Sequence, residues 1–323
     1  MFYRKKAPAF PEVQTPQHRI SAESQACVEI SMNDQFVSTV RQRMISDRNA
    51  FLHGEKRLYV QHQHKCGGST LCRFFRGSGL RVPTVQNCNG DSWMWPLVHG
   101  SREDLQTLYH NASFDVLFNE REFFSQDIPE DDFVFITSAR DPVPRMISSM
   151  LQSWQDLPVD DDGIVKNLSH TLNDFVHHGI DGNAPLEAPT NLQTLNLAGE
   201  RWEEYGKDWQ KLHRLAIDRL KLFTFTIPTE TLSEGLAYMR AFFGLEVVMP
   251  KNKEQWNARG ASEQLEFLQQ HNPRLLEKIR KDNYYDYCLH LQALKLWEIQ
   301  KRIVEETVGP VALCITCEGM QGP

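Results

Sequence analysis

Arg57-Leu-Tyr-Val-Gln-His-Gln63 runs into His64-Lys65-Cys66-Gly67-Gly68-Ser69-Thr70, and the segment from Ser69 to Arg76 carries a helical pattern. A strand, a glycine turn and a helix in that order begin a nucleotide-binding α/β unit. Two adjacent glycines let the backbone turn tightly and offer N–H groups to an anion without side-chain obstruction. The helix N-terminus adds its dipole, Ser69 and Thr70 add hydroxyls, and Lys65 adds a mobile positive charge. From Lys56 to Arg81 there are six basic residues and no acid, although the whole chain carries a formal charge of −7. That balance excludes a general nucleic-acid binder and points to one specific anionic ligand.

Outward from this stretch, Phe114–Phe118 and Asp132–Thr137 read as buried strands, the second a near-continuous apolar run of the parallel-sheet kind. Pro142–Trp154 reads as a helix with Asp141 as N-cap and Pro142 at its first position. Helix 208–220, strand 222–226 and helix 230–243 continue the alternation, and residues 262–306 read as helical with a break at Pro273. The expected division is a polar N-terminal arm over 1–50, a single domain over 51–310 and a tail over 311–323.

Arg140 falls at the end of the strand Asp132–Thr137, where open α/β sheets place their ligands. Counted from Asp141, Arg145 and Ser148 lie at i+4 and i+7, one face of the helix, so Ser148 can share a phosphate with Arg140. Arg145 reads as a helix-surface ion-pairing residue. The chain holds no GxxxxGK[ST] sequence, and Lys65 precedes the glycines rather than following them.

Lys65-Cys-Gly-Gly-Ser-Thr70 resembles the 5′-phosphosulfate loop of the sulfotransferases that use 3′-phosphoadenosine 5′-phosphosulfate (PAPS), closest to the Golgi-type carbohydrate enzymes. Cys66 stands where that family more often has Thr or Ser. Arg140-Asp-Pro-Val-Pro-Arg-Met-Ile-Ser148 resembles the family's 3′-phosphate motif. Similarity also covers Asn191-Leu-Gln-Thr194, the stretch Ala216 to Glu230, and Asp282-Asn-Tyr-Tyr-Asp-Tyr287, about three-quarters of the chain in all.

The resemblance implies a P-loop-type three-layer α/β/α sandwich with a central parallel sheet and a helical C-terminal part. It implies transfer of a sulfuryl group from PAPS to a hydroxyl or amine of a glycan or small molecule, without a metal. The cofactor-binding set would be Lys65, Cys66, Gly67, Gly68, Ser69, Thr70, Arg140 and Ser148. Lys65 would also be catalytic, and Glu120, in register with the family's base, would take the acceptor's proton with Glu122 as rival. The alternatives are a P-loop nucleotide kinase and a non-catalytic nucleotide-binding module.

His62 and His64 have no third ligand of clear spacing, so a metal role is not expected. The Trp93-Met-Trp-Pro96 cluster reads as core or acceptor-site wall. No segment has the ~18 apolar residues of a membrane span. The seven cysteines, odd in number and scattered, read as reduced thiols, and Cys314-Ile-Thr-Cys317 as a lone pair. The expected location is the cytoplasm if the chain is complete, or the Golgi lumen if an anchor has been removed. The sequons Asn111-Ala-Ser113 and Asn167-Leu-Ser169 matter only on a secretory route.

Overall fold

The computed structural model describes residues 27–83, 88, 113–120, 131–154, 157–180, 190–199, 208–247 and 260–313. Helix α1 (Asp34–Leu52) leads into β1 (Arg57–His62), α2 (Gly68–Gly77), β2 (Val116–Asn119), β3 (Phe133–Ala139) and α3 (Pro142–Ser153). Next come α4 (Leu168–Ile180), α5 (Leu192–Ala198), α6 (Trp209–Leu220), β4 (Phe225–Pro228), a short 3₁₀ turn and α7 (Leu232–Phe243). Helices α8 (Ala261–His271), α9 (Pro273–Asp282) and α10 (Tyr284–Val308) complete the order.

The four strands form one parallel sheet in the order β2-β1-β3-β4. All seven residues of β3 are buried, as expected of a strand covered on both faces. The Asp141 carboxylate accepts from the Val143 N–H at 2.8 Å, and Pro142 opens α3, so both predicted start signals operate. Strand β4 begins at Phe225 rather than Leu222. Leu222 and Phe223 instead donate back to Arg219 and Leu220 and finish the turn after α6. β4 lies at an edge of the sheet. There Gln300 of α10 accepts from the Thr226 N–H and donates to the Phe223 carbonyl, which satisfies backbone groups an edge leaves open.

The main core gathers both sheet faces, α7 and α10, with Trp297 fully enclosed. Helix α1 buries Val40 and Met44 in that core. A second apolar cluster joins α3, α4, α8 and α9 through Met146, Phe175, Leu268 and Ile279. The C-terminal helical region breaks at Asn283 as well as before Pro273.

The cysteines correct the sequence reading. Cys27 is disulfide-bonded to Cys288, and Cys72 to Cys88, while Cys66 is free and buried. The partners lie 261 and 16 positions apart in sequence, and folding brings their Cα atoms to 5.4 and 5.5 Å. Cys314 and Cys317 lie outside the described residues. Among the described residues, no helix is long and apolar enough to cross a membrane.

Candidate functional site

The strand order fixes where a site can form. The chain leaves β1 through α2 toward β2 on one side, and leaves β3 through α3 toward β4 on the other. A crevice therefore opens between the carboxyl ends of β1 and β3, the usual ligand position in an open α/β sheet. Register pairs His62 with Ser138, so the Lys65 loop and Arg140 emerge side by side.

In the loop, Lys65 (φ 61°) and Gly67 (φ 84°) both occupy the left-handed region, a conformation that lets successive N–H groups face one side. For lysine this conformation is unfavourable, so the surrounding contacts must hold it. Gly68 packs so closely on His62 that a Cβ there would overlap the imidazole ring. Ser69 is exposed and Thr70 half-buried in the first turn of α2, at the positive end of its dipole.

Three residues tie the two motifs together. The Arg140 guanidinium donates to the Lys65 carbonyl at 2.9 Å. The Lys65 ammonium donates to the Gln152 side chain of α3 at 2.6 Å. Gln152 lies four residues beyond the half-buried Ser148, so one helix face carries Ser148 and reaches the lysine. Lys65 and Arg140 thus stand together beside α3, the helix that carries Ser148. Burial lowers the Arg140 guanidinium from its ordinary value, although the Glu230 and Asp141 carboxylates nearby oppose the change.

Cys66 behaves differently from its neighbours. Its N–H donates to the Gln63 carbonyl at 3.0 Å, and its thiol faces Gln193 Oε1 at 3.4 Å. Burial pushes the thiol up to about 12 despite the pull of Arg140 and Arg145, so it stays neutral. Cys66 supports the loop from beneath and offers a ligand neither its thiol nor its N–H.

Below the crevice lies a polar layer that the sequence does not disclose. Gln193 accepts from the Arg140 N–H at 2.9 Å and donates to the Arg140 carbonyl at 2.8 Å, clasping that residue on both sides. Its own N–H, and that of Thr194, donate to the Asp286 carboxylate at 3.1 and 2.7 Å. Arg145 stands 3.8 Å from the same carboxylate, and both side chains are fully buried. Arg145 is therefore an internal ion-pair partner rather than a helix-surface residue. Burial raises the Asp286 carboxyl, with Arg145 and the two N–H donors opposing it.

Glu120, at the end of β2, faces the loop from the other side. Its Oε1 is 2.8 Å from His64 Nδ1, and its Oε2 is 4.0 Å from His62 Nε2. A carboxylate bonded to imidazole can hold or accept a proton at that edge of the crevice. The partner of Glu120 was not foreseeable from neighbours in sequence, because β1–β2 pairing brings His64 to it. Arg121, Glu122 and the Trp93–Pro96 cluster lie outside the described residues. Glu230 accepts from the Asp141 N–H at 3.2 Å and lies 4.0 Å from His290, close behind Arg140. Among the described residues, no three His, Cys, Asp or Glu side chains form a group able to hold a metal ion.

No family model, curated protein or solved structure matches the chain.

Proposed function

We propose that the chain is a PAPS-dependent sulfotransferase built on a P-loop-type three-layer sandwich, acting on a hydroxyl or amine of a glycan or small molecule. The observation that carries this reading is the Arg140 to Lys65 hydrogen bond, which joins two motifs 75 positions apart across the sheet's switch point. A nucleotide with phosphates at both its 3′ and 5′ ends needs two cationic centres separated by a sugar. Arg140 with Ser148 supplies one, and Lys65 with the first turn of α2 supplies the other.

In the reaction, an acceptor oxygen or nitrogen attacks sulfur in line. The bond from sulfur to the 5′-phosphate oxygen breaks, and adenosine 3′,5′-bisphosphate leaves. Lys65 neutralises charge growing on that bridging oxygen, which is worth most in the transition state. The acceptor's proton passes to the Glu120–His64 pair. The two disulfides favour an oxidising compartment, hence a luminal rather than cytoplasmic setting.

Thermal stabilisation by adenosine 3′,5′-bisphosphate against ATP tests the reading. At about 100 times its dissociation constant, the preferred ligand adds roughly 2.7 kcal/mol. The bisphosphate should stabilise the protein, and Arg140→Ala should remove its advantage over adenosine 5′-monophosphate. A stronger effect from ATP would overturn the proposal in favour of a kinase. Binding without turnover over a broad acceptor panel would leave a nucleotide-binding module.

A further inference from the structure

The disulfides give meaning to a motif that the reaction does not use. Of the cysteines in the described residues, all but Cys66 are paired, and Cys66 is sealed in the core. Such pairing persists in oxidising secretory compartments and is rare in the cytosol. On that route an Asn-x-Ser sequence is an acceptor for N-linked glycan.

Asn167-Leu168-Ser169 is such a sequence, and its asparagine is exposed in the turn just before α4. Asn167 has φ 54°, a left-handed conformation that asparagine tolerates better than most residues. Its carbonyl accepts from the His170 and Thr171 N–H groups at 2.9 and 3.0 Å, so the backbone holds the turn. Among the described residues, its side-chain amide makes no hydrogen bond. The neighbours Lys166 and His170 are exposed, whereas Leu168 points into the second apolar cluster. A bulky group on Asn167 therefore projects into solvent and disturbs no packing.

We propose that Asn167 carries an N-linked oligosaccharide. The donor would be a lipid-diphosphate-linked oligosaccharide, handled by a separate transferase of the same compartment. The Asn167 amide nitrogen attacks the anomeric carbon, a C–N bond forms, and the C–O bond to the diphosphate breaks. The amide proton goes to the transferase's base, and the lipid diphosphate leaves. This modification is independent of the sulfuryl-transfer reading.

The test uses the full chain recovered from the cells that make it, treated with peptide N-glycanase in heavy-oxygen water. Asn167 should be recovered as heavy-oxygen-labelled aspartate, with a gain in gel mobility. Asn167→Gln and Ser169→Ala, expressed in the same cells, should each lose that glycan. Ser169→Ala keeps the asparagine and its turn, so loss there reports the sequon rather than misfolding. Recovery of unmodified Asn167 from the native protein overturns the proposal. So does a full mobility shift retained in both variants, which would move the glycan to Asn111.

Discussion

The Asn191 side-chain oxygen accepts from the Tyr285 and Asp286 N–H groups at 3.0 and 3.1 Å, while the Asp286 carboxylate accepts from the Gln193 and Thr194 N–H groups that follow Asn191. Each residue thus caps the other's helix, α10 in one direction and α5 in the other. Four N–H groups that helix starts leave open are satisfied without water. Asn283 adds a further link by accepting from the Asn191 N–H at 3.0 Å. Through Gln193, this clasp sets the position of Arg140.

Removing Asp286 should therefore damage the fold. Asp286→Ala leaves the buried Arg145 charge uncompensated and opens both α5 caps. The expected loss is about 3–5 kcal/mol in urea unfolding. Asp286→Asn keeps one acceptor oxygen and the shape, so it should lose less. Equal losses in the two variants would show that the charge contributes nothing.

Lys65→Ala removes the one mobile cation of the loop. On the proposed sulfuryl transfer from PAPS, kcat should fall by ~10²–10³, the range for one preorganised electrostatic group. Gln152→Ala, which removes one hydrogen-bond acceptor of the ammonium, should have a much smaller effect. A Lys65→Ala enzyme with normal kcat and only a raised KM would remove the transition-state role.

The Glu120–His64 pair separates two assignments of the base. Glu120→Gln should lower kcat by ~10²–10⁴ while leaving bisphosphate affinity unchanged. If Glu120 acts directly, His64→Asn should retain most activity. If the imidazole takes the proton and Glu120 orients it, both substitutions should cost alike. Normal turnover in Glu120→Gln would dismiss the carboxylate from either role.

His213 of α6 is fully buried against Tyr285, and burial holds its imidazole down at about 4. The folded protein keeps His213 neutral, whereas the unfolded chain protonates it near its ordinary value of 6.5. Stability should therefore be complete above pH 6.5 and decline as the pH falls toward 4. The loss should reach about 3 kcal/mol when both states are protonated. Urea midpoints across that range, compared with His213→Phe, would measure it. The variant should show a flatter profile.

Much of the order of elements was legible locally, although the short helix α5 was not. Apolar runs marked β1 and β3, Asp141-Pro142 marked the start of α3, and the glycine pair marked the turn into α2. Each signal depends on neighbouring residues alone, through steric limits, capping or strand burial. The strand after α6 was misplaced because Leu222 and Phe223 are as apolar as Phe225, and only hydrogen bonding to Arg219 and Leu220 distinguishes them.

By itself, the sequence determined that a basic, glycine-bearing turn follows one strand and that an Arg-Asp-Pro turn follows another. Only the tertiary structure decided that the two turns meet, because strand order is a property of the sheet rather than of either segment. The same holds for Cys27 with Cys288, Glu120 with His64, and Arg145 with Asp286. Their separations in sequence are large, and contact between them exists only once the loops between have closed and the apolar core has formed around the sheet.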